Sequence, residues 1–314
     1  MKKFLFDILR LLRPRQWLKN FAIFVAVTFT GQLFNPEVIG KVLIAFLIFC
    51  GISSAIYIIN DIFDLEKDRM HPFKKFRPIA HGDISILQGL VIAFILIIIS
   101  VIVSFNLTPA FFILMIVFLT LQFSYSFFLK NIAVIDIITL AAGYILRVYA
   151  GEAITGFHIS VWLLLTTISI SLFLAVGKRK SELTLVSQYT DAQIKQTRKS
   201  LSHYSEKILD LYASIFATST FISYALFTFL ENPVGFKLSL GLFMPDFSPT
   251  FFQRKWLMIT IIPVVYGLMR YVQDIYEKSE GESPEKVLLS DKPLLLTVVI
   301  WSLLVIGIIY IIGA

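Results

Sequence analysis

Asn60, Asp61, Asp64 and Asp68 lie in the stretch Asn60-Asp61-Ile62-Phe63-Asp64-Leu65-Glu66-Lys67-Asp68-Arg69, between an apolar run over residues 41–59 and a basic segment over residues 69–78. On a continuing helix these positions, at i, i+1, i+4 and i+8, share one side, with Tyr57 one turn earlier. Carboxylates stacked in this way repel one another unless a cation sits between them. Hard oxygens suit Mg²⁺, which keeps several waters and completes its shell with substrate phosphates. The spacing therefore predicts a magnesium–diphosphate site at the mouth of a membrane helix. Asn60, Asp61, Asp64 and Asp68 are the candidate metal-ligating and catalytic residues. The plainer alternative is a polar helix end capped by acids in a solvated loop. The N-D-x-x-D-x-x-x-D spacing at a membrane boundary favours the metal.

Two further groups could serve a phosphate. Gly177-Lys178-Arg179-Lys180-Ser181-Glu182-Leu183 reads as a loop opening on three consecutive cations. Such cations commonly anchor the end of a span, but Lys and Arg also bind phosphate, and Arg can do so bidentately. An acidic motif expected on the same face of the membrane tips this reading toward phosphate. Asp136, Gly143 and Arg147 fall at i, i+7 and i+11, on one face of a span. Charged residues in spans are costly and usually face the interior, so this face is expected to look inward. Arg147 either reaches a deep cavity or snorkels outward. Tyr125 reads equally as a ligand or as a belt aromatic. His71, His81, His158 and His203 have no metal-ligand spacing, and neither a nucleophile signature nor a glycine-rich phosphate loop is present.

The elements that must position these residues are membrane helices. Of 314 residues 57% are hydrophobic and 16% charged, which excludes an ordinary soluble domain. Runs of roughly 18 or more apolar residues read as spans. About nine are expected, near 17–34, 41–60, 84–105, 109–128, 132–156, 160–176, 208–230, 256–276 and 294–312. Threaded alternately, they leave only Lys41, Lys237, Arg254 and Lys255 on one side, with Arg147 inside a span. The other side, holding the N-terminus and every other Lys and Arg, is then cytoplasmic. This distribution also accounts for the net charge of +7 without a nucleic-acid partner. Residues 1–16 read as a cytoplasmic interfacial segment with Trp17 as a belt residue, because no small-residue cleavage site follows them. Residues 177–207 read as a cytoplasmic loop, helical in part over 191–207, and 231–255 as an outer loop. Nothing divides residues 1–314 into separate domains. A lone cysteine, Cys50, rules out an intrachain disulfide.

The acidic motif after the second of about nine spans resembles the UbiA superfamily of intramembrane prenyltransferases. That resemblance implies an all-α polytopic bundle around a cytoplasm-facing cavity. Most of the superfamily carries a second acidic motif, D-x-x-x-D, after span six, where this chain has Gly177-Lys178-Arg179-Lys180-Ser181-Glu182. One acidic wall facing a basic one suits a substrate carrying more phosphate than the metals neutralise. The chain is similar, from residue 12 to about 292, to the decaprenyl-phosphate phosphoribosyltransferase branch. The similarity runs through Leu12-Arg13-Pro14-Arg15-Gln16-Trp17-Leu18-Lys19-Asn20, residues 60–82, Tyr125-Ser126-x-x-Leu129-Lys130 and Leu146-Arg147-x-x-Ala150-Gly151. It continues in Gly177-Lys178-Arg179-x-x-Glu182-Leu183 and Pro284-Glu285-x-x-Leu288-Leu289-x-Asp291.

This resemblance implies a 5-phosphoribosyl-1-diphosphate donor, a polyprenyl phosphate acceptor, Mg²⁺ as cofactor and a place in the bacterial plasma membrane. Its product would feed arabinose donors for cell-envelope glycan. Lys178 and Arg179 would grip donor phosphates, while Lys19, Lys74, Lys130 or Arg147 would neutralise the lipid phosphate. Tyr57, Asn60, Arg77, Tyr125 and Glu182 complete the expected substrate-binding set. Association of subunits into a homo-oligomer is left open. Two alternatives stand beside this reading. One is a prenyl transfer from prenyl diphosphate to an aromatic or other acceptor, which the charge argument expects to need a second acidic wall. The other is a secondary transporter, whose ionisable residues would gather at the midplane instead of one mouth.

Overall fold

The computed structural model describes residues 2–70, 74–186, 199–231, 255–277 and 284–312. Among them every regular element is helical. In order these are α1 (Lys2–Leu12), a 3₁₀ helix over Pro14–Phe24, α2 (Val25–Phe29), α3 (Pro36–Phe63), α4 (Leu65–Met70), α5 (Pro78–His81), α6 (Ile86–Phe105) and α7 (Pro109–Phe127). There follow α8 (Ile135–Thr155), α9 (Val161–Val186), α10 (Glu206–Leu230), α11 (Ile261–Glu277), α12 (Pro284–Ser290) and α13 (Lys292–Gly307). The expected outer loop lies almost wholly outside the described residues, as do 187–198 of the expected cytoplasmic loop and His71-Pro72-Phe73.

Among the described residues eight helices are long and apolar enough to cross a membrane, making this an integral membrane protein. The expected ninth, over residues 17–34, is mostly a 3₁₀ helix completed by the five residues of α2. At about 2.0 Å per 3₁₀ residue and about 1.5 Å per α residue, residues 14–29 rise about 30 Å, the thickness of the hydrocarbon core. Starts are written locally. Asn35, Ser85, Thr108, Ser205 and Asp291 each cap a helix with a side-chain oxygen, and proline follows Asn35, Thr108 and Asp291 in the first turn.

Packing separates lipid-facing from central helices. α6 turns Leu87, Phe94, Ile99 and Phe105 outward, as a helix bordering lipid does, and packs its Gly89, Ala93 and Ser100 side on α3. α3 is the central post: Phe49 meets Phe118 and Phe111 of α7, while Ile52 and Ile56 join the same core. The 3₁₀ helix lies against α8 at Gly151, where a Cβ would come 2.0 Å from the Ile23 carbonyl oxygen. Only glycine permits that approach, and it seats the segment carrying Gln16, Lys19 and Asn20. α1 rests beside α3 and α5, with Asp7 and Leu11 buried and Leu5, Phe6 and Leu9 exposed, an amphipathic disposition expected of an interfacial segment.

Candidate functional site

The acidic stretch straddles a helix break. α3 ends at Phe63, Asp64 is its C-cap, and α4 begins at Leu65. The continuous helix expected through Asp68 is therefore interrupted, which changes which acids meet. Asp61 and Asp68 converge on one guanidinium nitrogen: Arg77 Nη1 lies 3.0 Å from Asp61 Oδ1 and 2.5 Å from Asp68 Oδ2. Arg13 donates to the same Asp61 oxygen. Asp64 turns aside to Lys130, at 3.8 Å, and Lys74 lies within electrostatic reach of Asp68. Burial pushes the Asp68 carboxyl above its ordinary value, with the Arg77 charge pulling against it.

Among the described residues no three His, Cys, Asp or Glu side chains form a ready cation cluster. The mouth instead offers two carboxylates drawn to one positive centre, with Asp61 Oδ2 buried and without a hydrogen-bond partner. An orphaned carboxylate oxygen beside a bridging cation fits Mg²⁺, which needs few protein ligands when waters and phosphate supply the rest. Asn60, half-buried at the end of α3, is a further hard oxygen donor beside Asp61.

A second polar cluster lies on the inner side of the mouth. A 3₁₀ helix has three residues per turn, so Gln16 and Lys19 share one face while Trp17, Asn20 and Ile23 share another. The first face meets Tyr57: Lys19 Nζ donates to Gln16 Oε1 (2.7 Å) and Tyr57 Oη (3.3 Å), and Tyr57 Oη donates to Gln16 Oε1 (2.9 Å). Glu285 of α12 completes it, Oε1 standing 3.1 Å from Lys19 Nζ. Burial raises the Glu285 carboxyl, but the Lys19 charge, a bond from its own backbone amide and the Lys178 charge outweigh that and hold it below the ordinary carboxylate value. The Arg13 guanidinium lies 5.0 Å from the Tyr57 ring centroid, so Tyr57 touches both clusters.

The second 3₁₀ face is structural. Trp17 Nε1 donates to Ser54 Oγ at 3.0 Å, so this indole is tied to α3 where a belt residue was expected. Asn20 accepts from Arg147 Nε at 2.7 Å. Arg147 also donates to the Gly143 carbonyl and lies over the Phe118 ring, so it points into the bundle and does not snorkel. It sits about 18 Å along α8 from Ile135 at about 1.5 Å per residue. Lys19 feels both Arg147 and Tyr144, so the polar cluster extends inward to that depth.

The segment expected to be a loop from Gly177 is helical: α9 runs on to Val186. Consecutive helical residues point about 100° apart, and this separates two adjacent cations. Lys178 is close enough to act on Tyr57 and Glu285. Arg179 is fully buried on another side, with Nε 2.7 Å from Asp136 Oδ2, a bond to Tyr125 Oη at 2.6 Å, and a further bond to Glu182. Tyr204 donates to Asp136 Oδ1 at 2.6 Å and accepts from the Val134 amide, where the backbone takes a φ of 69° that a β-branched residue rarely adopts. Lys180 pairs with Asp210.

The structure thus brings Lys19, Tyr57, Lys178, Arg147, Asp61, Asp68 and Arg77 into one connected region, with Lys74, Asn60, Asp64 and Lys130 at its rim. Arg179, Tyr125 and Glu182, expected to bind substrate, are spent on a buried brace with Asp136. Three cluster members were not assigned roles from sequence: Arg13, Gln16 and Glu285. The 3₁₀ period could have pointed to Gln16 beside Lys19. Glu285 has no local signal beyond an acid following proline, because its partner is 266 residues away.

Comparison with known proteins adds to this geometry. Residues 21–290 match the model of the UbiA prenyltransferase family. The chain is 36% identical over 308 residues to a decaprenyl-phosphate phosphoribosyltransferase of Corynebacterium glutamicum, covering 97% of this chain and 87% of that one. It is 34% identical to the protein so named in Mycolicibacterium smegmatis, over 96% and 91% of the two chains. A UbiA homologue from Archaeoglobus fulgidus bound to GPP and Mg²⁺ has the same fold, with a TM-score of 0.68 at 18% identity over 96% of this chain and 99% of that chain.

Proposed function

We propose a specific reaction for this chain, which belongs to the UbiA prenyltransferase family: transfer of 5-phosphoribosyl from 5-phosphoribosyl-1-diphosphate to a polyprenyl phosphate, releasing diphosphate. The observation that carries it is the charge of the inner cluster. Where an acidic second wall would face the first, Lys178 and Lys19 converge on Tyr57 and Glu285. A donor with a 5-phosphate as well as a diphosphate has anionic charge to place there. A prenyl diphosphate does not.

Asn60, Asp61, Asp64 and Asp68 hold Mg²⁺, which when bound neutralises the diphosphate and so favours its departure. Lys19 and Lys178 bind the donor's remaining phosphate charge, and Arg77 and Arg13 keep Asp61 oriented. Lys130, Lys74 and Arg147 supply positive charge toward the acceptor's phosphate. That phosphate is already largely dianionic near neutral pH, with a second pKa of about 6, so no strong general base is required. Attack on ribose C1 opposite the leaving group inverts the anomeric centre. The mouth faces the cytoplasm of a bacterial plasma membrane, following the positive-inside bias, and the product serves cell-envelope glycan synthesis.

The test is incubation of the purified chain and Mg²⁺ with labelled 5-phosphoribosyl-1-diphosphate and polyprenyl phosphate. Radioactivity in the lipid phase, with inverted C1 configuration by NMR, is expected. Its absence, with label transferred instead from a prenyl diphosphate to an aromatic acceptor, would return the chain to ordinary prenyl transfer.

A further inference from the structure

Glu285 is an unusual residue to find on the inner side of a phosphate site. It is 5% exposed, Oε1 meets Lys19, and Oε2 has no hydrogen-bond donor from another residue among the described residues. Its ion-pair partner is Lys19, at 3.1 Å from Oε1. Lys19 also bonds Gln16 and Tyr57. Buried polar groups are nearly always hydrogen-bonded, and one left without donors calls for an explanation.

Two explanations compete. A second metal site is disfavoured by charge, because the cations acting on Glu285 are Lys19 and Lys178, which repel a divalent ion. A neutral ligand carrying O–H donors meets no such repulsion. A carboxylate that meets one ammonium through one oxygen keeps acceptor lone pairs on both, and these match two neighbouring hydroxyls, each donating to one oxygen. We infer that Glu285 is a specificity-determining residue that accepts hydrogen bonds from the vicinal hydroxyls of the donor's pentose, beside the phosphate held by Lys19. The assignment rests on the phosphoribosyl reading above, and it deepens that reading by supplying a reason for donor choice. A prenyl chain has no hydroxyl to offer, so its entry leaves Glu285 buried and unmet. Sites built to bond a hydroxyl reject analogues lacking it far more strongly than apolar pockets reject a misfit.

The experiment compares 5-phosphoribosyl-1-diphosphate with its 2-deoxy and 3-deoxy analogues on the full chain and on Glu285→Gln. In the unaltered protein at least one deoxy donor is expected to lose about 10²-fold or more in kcat/KM, mostly through KM. In Glu285→Gln the full donor falls by a similar factor while the deoxy donor changes by less than about threefold, so discrimination collapses. An unchanged ratio between the donors in the variant overturns the inference. If Glu285→Gln does not accumulate folded, competition in the unaltered protein decides: ribose 5-phosphate must displace bound donor better than 2-deoxy- or 3-deoxyribose 5-phosphate, and equal potency of all three overturns it. Transfer by the unaltered protein is measured in parallel. Its absence sinks the reaction, whereas transfer with equal use of all donors sinks only the role of Glu285.

Discussion

Two clusters of acid and base stand at the same end of the bundle, and they differ in exposure. In the brace, Asp136 takes Tyr204 and its neighbour's amide on one oxygen and Arg179 on the other, while Arg179 also bonds Tyr125 and Glu182. Arg179 and Asp136 are both fully buried. In the mouth, one Arg77 nitrogen is shared between Asp61 and Asp68, Arg77 keeps a quarter of its side chain exposed, and Asp61 Oδ2 has no partner. A charge network sealed in a low-dielectric surrounding rigidifies the helices it joins. One beside water is free to exchange a protein cation for a bound one. Similar residue types thus serve two purposes, and exposure of the paired cations separates them.

The largest effect expected from this contrast is on turnover. Asp64→Asn alters a half-exposed member of the mouth and should cut transfer by about 10³-fold, or about 4 kcal/mol of transition-state stabilisation, with thermal stability preserved. Chelation of Mg²⁺ should abolish activity reversibly. A variant that transfers normally would break the distinction between the clusters. Arg179→Met should do the reverse, destabilising the bundle by about 3–5 kcal/mol because Asp136 is left buried and uncompensated. Denaturation in mild detergent measures it, and a wild-type midpoint with lost phosphoribosyl affinity would move Arg179 back into the site.

A smaller effect separates the clusters by geometry. Gly151→Ala would press against the Ile23 carbonyl and shift the segment carrying Arg13, Gln16 and Lys19, at a cost of about 1–3 kcal/mol. Donor KM should rise with the brace intact, which cysteine cross-linking between α8 and α9 can check. The smallest effect is in pH. Glu285 lies below its ordinary value of 4.5, so it adds stability above that pH that is lost as pH falls through its depressed value. Asp68 lies above its ordinary value of 3.8, so its ionisation opposes folding and acid relieves that opposition. Melting curves over about pH 3–6 should show a flatter acid limb for Glu285→Gln and a steeper one for Asp68→Asn. Curves that superimpose would mean these carboxylates are equivalent.

Much of the architecture was legible without coordinates. Long apolar runs, capping residues and the one-sided distribution of Lys and Arg are local or additive properties, and bilayer physics acts on each span separately. The inward face of Asp136, Gly143 and Arg147 followed from helical period. The 3₁₀ form of the first segment was not foreseen because a 3₁₀ helix and an α helix have the same composition signal at this length, and the turn at Gly177 was placed early because three cations look like a span end. In fact α9 carries them inward along its last turns.

Chain order alone determined that this is a polytopic helical membrane protein with an acidic mouth, because those features depend on residue type and neighbouring spacing. Only the packed bundle decided that Asp61, and not Asp64, joins Asp68. It alone sent Lys178 toward Tyr57 while Arg179 was buried against Asp136, and carried Glu285 to Lys19 across the length of the chain. Helical period fixes where a side chain points relative to its own axis, but the partner it meets depends on how the axes are set against one another. That setting comes from close contacts such as Ile23 on Gly151, which no spacing along the chain encodes.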